Sequence, residues 1–401
     1  MAAVYGKQST YDQSSLGTLR VSIEDFVGKY PKLELPLLNR IGGDIFEKTV
    51  DNTKTEWKEE NLRPTQDKLG SALESTDGTE VVVETAGVFN KDAVVQVGSE
   101  HMVVTAVASD GVTLTVSRGW ASTTPATALD EAVIRRIGIA APEGADADGA
   151  VRQPLSDFYN YTQIFEDVVE MTDTEENAFI YRTKEGGSNS QNQIVTKQKE
   201  LLQMQQLAYF FGRRHNDTLS DRRTTGGMKF FVDTYASSNA IDMGGASAWK
   251  TSSTIVTSGI LEYTKAQEKI DDAIETIANN RGKPTAMYVG YKALRYMGLF
   301  GLNSVRSERK DTNRGITAVK TYTSQVGELD VVMIPGVEFN DMIFIVDEDK
   351  IGHKAFKNRA WFTKKLAENG DSHKWQVLGE YIFGMKTVKA GAAYLYNLGL
   401  S

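Results

Sequence analysis

Asn160-Tyr161-Thr162-Gln163-Ile164-Phe165 decides how this chain is read. It lies in an aromatic run with the character of an extended strand. After the break at Gly186-Gly187-Ser188-Asn189-Ser190, which supplies helix-capping residues, a Gln-rich helix is expected from Gln191 to Phe211. Ile194, Leu201, Met204, Ala208 and Phe211 follow near-helical spacing, interrupted by Lys197-Gln198-Lys199-Glu200. Such a helix spans about 30 Å. One apolar stripe and one Gln/Lys face suit a helix lying across a sheet with its other side wet. A strand feeding one long half-polar helix, with no catalytic equipment beside it, points to a protein that builds rather than transforms.

Composition narrows the function classes. The chain has 401 residues, room for two or three domains, and its 40% hydrophobic and 24% charged residues belong to an ordered globular protein. A net charge of −8 gives it no electrostatic reason to grip phosphate. The absence of cysteine excludes disulfides, thiolate metal sites and cysteine nucleophiles, and it suits synthesis in a reducing cytoplasm. Met1 to Gln8 lacks the apolar core of a signal peptide. No segment approaches the ~20 apolar residues of a membrane span.

Outward from the central stretch, residues 1–40 read as an extended arm with a short helix around Ile23 to Tyr30; Pro36 argues against a helix over Leu33 to Leu38. Residues 45–63, with Phe46, Val50 and Trp57 among polar residues, read as an exposed β-ribbon that resumes from Asp157 to Met171. Between them, short β runs at Val81–Val83, Ala93–Val97, Met102–Val107, Val112–Ser117 and Ala132–Ile137, with Asp110-Gly111 as a hairpin turn, predict a small barrel or sandwich. Ala140 to Ala150 reads as the linker leaving it. A second helix is expected from Gly259 to Asn280 with a core stripe of Ala266, Ile270, Ala273, Ile274 and Ile277, ended by Arg281-Gly282-Lys283-Pro284. A strand over Ala286–Val289 and a helix over Tyr291–Leu299 follow. Val305 to Gln325, with Arg306, Arg309, Lys310, Arg314 and Lys320, reads as a mobile loop. Strands are then expected at Leu329–Ile334, Met342–Val346, Trp361–Leu366, Trp375–Phe383 and Met385–Tyr396. Strands and helices segregate, which is an α+β class.

Motifs for chemistry fail residue by residue. Gly244 to Thr251 has Trp249 where a phosphate loop needs glycine. Asp146-Ala147-Asp148-Gly149 lacks the calcium-loop glutamate, since Leu155 stands there. Asp347-Glu348-Asp349 reads as a turn. His101, His215, His353 and His373 show no metal-ligand spacing, and no Gly-x-Ser-x-Gly elbow is present. The basic stretch Arg306 to Arg314 reads as a solvated or subunit-facing loop, not a nucleic-acid patch.

Several stretches together resemble one family. Thr55-Glu56-Trp57-Lys58-Glu59-Glu60-Asn61-Leu62 resembles its early Trp motif. Asn160 to Phe165 followed by Val168 to Thr174 resembles its central motif. Leu366 to Asp371 followed by Lys374 to Tyr381 resembles its C-terminal motif. Pro284 to Val289 and Tyr322 to Gly327 lie between them in the family's order. The family is the major capsid proteins of tailed bacteriophages with the Hong Kong 97-like fold. Met171-Thr172-Asp173 departs from the family's usual turn.

The resemblance implies an N-terminal arm (1–40) and an extended loop (41–170) interrupted by a β-rich insertion domain (65–150). It further implies a peripheral domain (171–225 plus 350–401) with a spine helix (191–211), and an axial domain (226–349). It implies a head protein that self-assembles as hexamers and pentamers into an icosahedral shell around double-stranded DNA, touching that DNA non-specifically. Scaffolding, portal and decoration proteins are candidate partners; no membrane, metal, cofactor or catalytic residue is implied. The product is expected in the virion after synthesis in the host bacterial cytoplasm. A tail or other virion surface protein is the alternative, and an enzyme with a β-rich accessory domain a weaker one. Trp57, Phe158, Tyr159 and Tyr161, large groups on a thin ribbon, are candidate subunit-interface residues, joined by Arg306, Arg309 and Arg314. The insertion is expected to project outward from the ribbon.

Overall fold

A computed structural model describes residues 35–42, 46, 49–60, 62–144, 155–177, 189–244, 264–297, 305–307, 319–324, 327–367 and 370–399. The expected arm helix at Ile23 to Tyr30, the Asp146 to Gly149 motif and most of Gly244 to Thr251 lie outside these residues. The chain divides into two compact units, Met1–Thr55 with Tyr159–Ser401, and Glu56–Phe158. Strands β1 (Lys54–Glu59) and β8 (Ser156–Tyr161) pair as a two-stranded sheet.

The smaller unit is a six-stranded antiparallel sheet. Its strands are β2 (Gln66–Lys68), β3 (Glu80–Val82), β4 (Ala93–Val97), β5 (Glu100–Val107), β6 (Thr113–Ser117) and β7 (Val133–Ile139), in the order β2-β7-β4-β5-β6-β3. The Leu69–Val83 bridge closes it into a barrel, with the Gly70 N–H donating to the Val82 carbonyl (2.9 Å) and the Glu84 N–H to the Lys68 carbonyl (3.0 Å). Closure removes the exposed strand edge. Alternate residues Ala93, Val95 and Val97 point inward onto Met102, Val104, Leu114, Val116 and Ile134. At the β5–β6 turn, Gly111 takes φ +73° and Asp110 accepts the Val112 and Thr113 N–H groups and the Thr113 hydroxyl. Those bonds hold the Asp110 carboxyl below its ordinary pKa. One ion pair is buried, Glu100 with Arg118 (2.7 Å). Glu100 also accepts the Gly119 and Ala126 N–H groups, and Arg118 donates to the Ser75, Gly78 and Ala126 carbonyls, so the burial leaves neither group starved.

The larger unit holds two main sheets. The seven-stranded one comprises β12 (Ala240–Asp242), β13 (Ala286–Gly290), β14 (Val305–Ser307), β15 (Val319–Ser324), β16 (Gly327–Ile334), β17 (Ile343–Val346) and β21 (Ala392–Tyr396), ordered β12-β21-β17-β13-β16-β15-β14. Its central strands β13 and β17 are buried at every position, which requires cover on both faces. Helix α5 (Thr264–Asn279) covers one face. Its stripe of Ala266, Ile270, Ala273, Ile274 and Ile277 packs with Met287, Val289, Ile343 and Ile345. Burying each isoleucine stabilises the unit by about 1.5–3 kcal/mol. On the other face lie Tyr288 and Phe344, against which Phe210 at the end of helix α3 (Asn189–Phe211) packs at 5.7 and 5.0 Å.

The second sheet is built on the 14-residue strand β20 (Ser372–Met385). It pairs with β9 (Gln163–Thr172) over ten residues, and with β18 (Ile351–Ala355) and β19 (Phe362–Lys365) on its other edge. Helix α3 lies across it, Leu201 packing with Phe165, Val377 and Tyr381. Short helices α1 (Pro36–Arg40), α2 (Asp173–Asn177), α4 (Met228–Tyr235), α6 (Tyr291–Met297) and α7 (Val388–Gly391) and a small hairpin of β10 (His215–Asp217) and β11 (Arg222–Thr224) complete it.

Several expectations are corrected. Pro36 begins a helix instead of spoiling one, because the first helical position needs no N–H. Met204 is 55% exposed, while Gln205 and Gln206 on the nominally wet side are buried. Gln205 donates to the Tyr209 hydroxyl (2.6 Å), and Gln206 accepts the Leu37 N–H (3.3 Å), pinning α1 to α3. From Gln163 onward the expected ribbon is a strand of the β20 sheet. The expected loop from Val305 to Gln325 contains paired strands β14 and β15, held where the buried Tyr322 donates to Asp271 (2.9 Å). The expected strand from Met385 to Tyr396 is interrupted by α7, and β18 is a strand not foreseen.

The end of α5 separates two roles that the Arg281-Gly282 pair seemed to combine. Arg281 takes the left-handed position (φ 64°), and the Gly282 N–H reaches back to the Ile277 carbonyl (2.9 Å). Gly282 is required for space: a Cβ there would stand 1.9 Å from the Ala390 carbonyl oxygen. Gly282→Ala should therefore lower stability by about 2–3 kcal/mol, whereas Arg281→Gly should raise it by up to about 1 kcal/mol. Thermal unfolding of the purified protein measures both, and equal effects would refute the separation.

His353 lies between the rings of Tyr209 (5.7 Å) and Tyr381 (6.0 Å), and burial holds its pKa below the ordinary value. Its neutral form is the one the fold accepts. The contribution is complete above the unfolded histidine pKa, about 6.5, and is lost as pH falls through the lower folded value. Stability should decline below about pH 6.5, with a shallower decline in His353→Phe; identical pH profiles would contradict this.

Candidate subunit interface

The central motif turns on buried polar groups. Asn160 ends the exposed part of β8 and is itself 0% exposed, so its amide needs partners inside the protein. Its Nδ2 donates toward the Phe383 carbonyl (2.7 Å), the Gly226 carbonyl (3.0 Å) and the Thr225 hydroxyl (3.0 Å); its Oδ1 accepts the Gly226 N–H (2.8 Å). Two residues on, the buried Thr162 donates its hydroxyl to Glu380 (2.6 Å) and its N–H to the Thr53 carbonyl (2.9 Å). Gln163 Oε1 accepts the Thr225 N–H (3.1 Å). Glu380, 3% exposed, is neutralised by Arg359 (3.0 Å) and Arg223 (3.3 Å). Alternate polar residues of one motif thereby tie β9 to β20, to the β11–α4 corner and to the base of β1.

Aromatic residues of β1 and β8 flank the motif in sequence or pairing. Trp57 and Phe158 stack, with ring centroids 6.1 Å apart and planes 15° apart. Tyr159 meets Tyr161 edge-on at 5.7 Å, and the Arg214 guanidinium lies over its ring at 3.6 Å. Arg214 also donates to the Tyr159 carbonyl (2.7 Å) and the Tyr235 hydroxyl (3.0 Å). Phe158 is buried; Trp57, Tyr159 and Tyr161 are half-buried, each with one face engaged at home. Arg306 is placed in β14 opposite Thr321, far in sequence from the aromatics, while Arg309 and Arg314 lie outside the described residues.

Sequence reasoning missed a second anchor. Arg40, at the end of α1, holds Glu348 with two hydrogen bonds (2.6 and 2.9 Å) and Asp330 with a third (2.8 Å); the Tyr288 hydroxyl donates to the same Glu348 (2.5 Å). Glu348 and Asp330 raise the Arg40 pKa further above its ordinary value. The residues of the expected arm that enter the fold are thus fastened to the seven-stranded sheet. The only signal for it was a basic residue at a helix end. Among the described residues no cluster of acidic and histidine side chains has the arrangement of a metal site. No helix among them is long and apolar enough to cross a membrane.

Trp57, Tyr159 and Tyr161 are thus half-covered on β1 and β8, while the polar side chains of the motif bind backbone groups of distant segments. Residues 5–397 match the family model described as SU10 major capsid protein, and the chain belongs to that family. It is a capsid shell protein of α+β fold, as the motif resemblance implied. Solved structures with similarity include the capsid of an empty GTA particle (10% identity, 96% of each chain, TM-score 0.48). Another is from Microbacterium phage Oxtober96 (12% identity, 94% of this chain and 96% of that one, TM-score 0.46). A third is from Mycobacterium phage Cain (9% identity, 98% of each chain, TM-score 0.46). No curated protein matches the chain.

Asn160→Ala would leave the Gly226 N–H and the Phe383 carbonyl buried without this partner, at a cost on the order of 3 kcal/mol. Tyr161→Phe, which keeps the ring, should change stability by less than about 0.5 kcal/mol. Urea unfolding of the unassembled subunit measures the contrast; a mild Asn160→Ala would show that the hub is dispensable.

Proposed function

We propose that this protein tiles a closed icosahedral head of the Hong Kong 97-like type, as hexamers and pentamers, around packaged double-stranded DNA. The observation that carries this reading is the capsid family match across residues 5–397. Residues 1–40 serve as the N-terminal arm and 41–170 as the extended loop, interrupted by a β-rich insertion over 65–150. Residues 171–225 with 350–401 form the peripheral domain with the spine helix at 191–211, and 226–349 the axial domain. The role is structural, with no catalytic step. Scaffolding, portal and decoration proteins are its further partners, and synthesis takes place in the host bacterial cytoplasm.

Three features support the reading. Helix α3 packs against both sheets of the larger unit, as a spine must. The barrel of 56–158 has a core of its own and suits an addition to a loop. A net charge of −8 gives a shell lining no strong hold on the DNA it encloses. Trp57, Tyr159 and Tyr161, with Arg306, Arg309 and Arg314, are proposed to face neighbouring subunits, the buried Phe158 backing Trp57 from within. Each such contact is modest, and a closed lattice multiplies them.

Electron microscopy of the purified protein should show closed shells or capsomers; small discrete particles under all assembly conditions would overturn the proposal. Trp57→Ala should yield fewer shells, and normal assembly with unchanged melting would remove Trp57 from the interface.

A further inference from the structure

The hairpin of β10 and β11 ends in a turn that the core of the larger unit does not use. Its strands pair over only three residues each, and a two-stranded hairpin alone is marginal in water. Its base is fastened firmly: Arg214 binds the Tyr159 carbonyl, Arg223 pairs with the buried Glu380, and the Thr224 hydroxyl donates to the Arg213 carbonyl (2.7 Å). Its tip is built by side chains. Asp217 accepts the Leu219 N–H (3.0 Å) and the Ser220 hydroxyl (2.5 Å), and Asp221 takes φ 55°. The residue this turn presents is Leu219, 97% exposed, the most exposed large hydrophobic among the described residues.

A lone surface leucine is ordinary. A leucine held out on the braced turn of a basic hairpin is a different object. Residues 213–224 carry four arginines against two aspartates, within a chain of net charge −8. Arg213 and Arg222 are exposed on its flanks. A basic projection on an acidic chain is complementary to other copies of that chain.

We propose that the 213–224 hairpin docks onto a second copy of this chain, Leu219 entering an apolar recess of the neighbouring subunit while Arg213 and Arg222 pair with acidic side chains around it. The proposal rests on the capsid reading and specifies one of its subunit contacts. Because Leu219 touches almost nothing at home, its replacement separates assembly from folding. The test compares the full wild-type chain, Leu219→Met and Leu219→Asp by shell yield in electron microscopy and by melting of the unassembled subunit. Leu219→Asp should melt like wild type and lose at least about tenfold in shell yield, while Leu219→Met assembles. In the otherwise cysteine-free chain, Thr218→Cys carrying a thiol-linked photocrosslinker should join to a second copy within assembled shells. Wild-type shells with equally abundant Leu219→Asp shells would overturn the hairpin proposal, as would crosslinking only to a different protein. Failure of the wild type itself to form shells would instead overturn the capsid proposal.

Discussion

The buried side chains of Asn160 and Glu380 set the terms for the larger unit. An amide and a carboxylate removed from water must find partners, and each missing partner costs on the order of 1–3 kcal/mol. Here the partners come from segments separated by up to 223 positions in sequence. They bring together β8, β9, β20, the Thr225-Gly226 corner and the Arg359 loop. Hydrophobic burial makes the unit stable; this network specifies how its parts meet.

The rest of that unit follows from the strands so aligned. β20 runs through its own sheet with Val377 to Met385 wholly buried, and that requires α3 to lie across it. α3 is long enough to end on the other sheet, where Phe210 joins Tyr288 and Phe344. The seven-stranded sheet is then covered on both faces, by α5 and by the end of α3. The barrel of Glu56–Phe158 obeys the same rules independently, with a closed strand order and one fully satisfied ion pair.

A capsid subunit is under an unusual demand: it must fold alone and still leave surface for its neighbours. Within this chain Trp57 stacks on Phe158 and Tyr159 lies against Arg214, yet Trp57 and Tyr159 stay half-buried. Arg40 clamps α1 to Glu348 and Asp330.

Much of the fold was legible because periodicity is local. The α5 stripe, the strand at Ala93–Val97, the Asp110-Gly111 turn and the long helix from near Gln191 each depend on neighbours a few positions away, and each stands where expected. The capsid identity was legible too, through the order of its motifs. What sequence could not reveal was which polar residues turn inward: Gln205 and Gln206 belong to a face that spacing marks as wet, and Asn160, Thr162 and Glu380 look like surface residues. Nor could it reveal that Gly282 is there for space, or that Arg40 finds Glu348. The sequence by itself determined the elements and the family; the tertiary structure alone decided the partners. A hydrogen bond between distant residues depends on where the whole chain has carried them, and no local pattern records that.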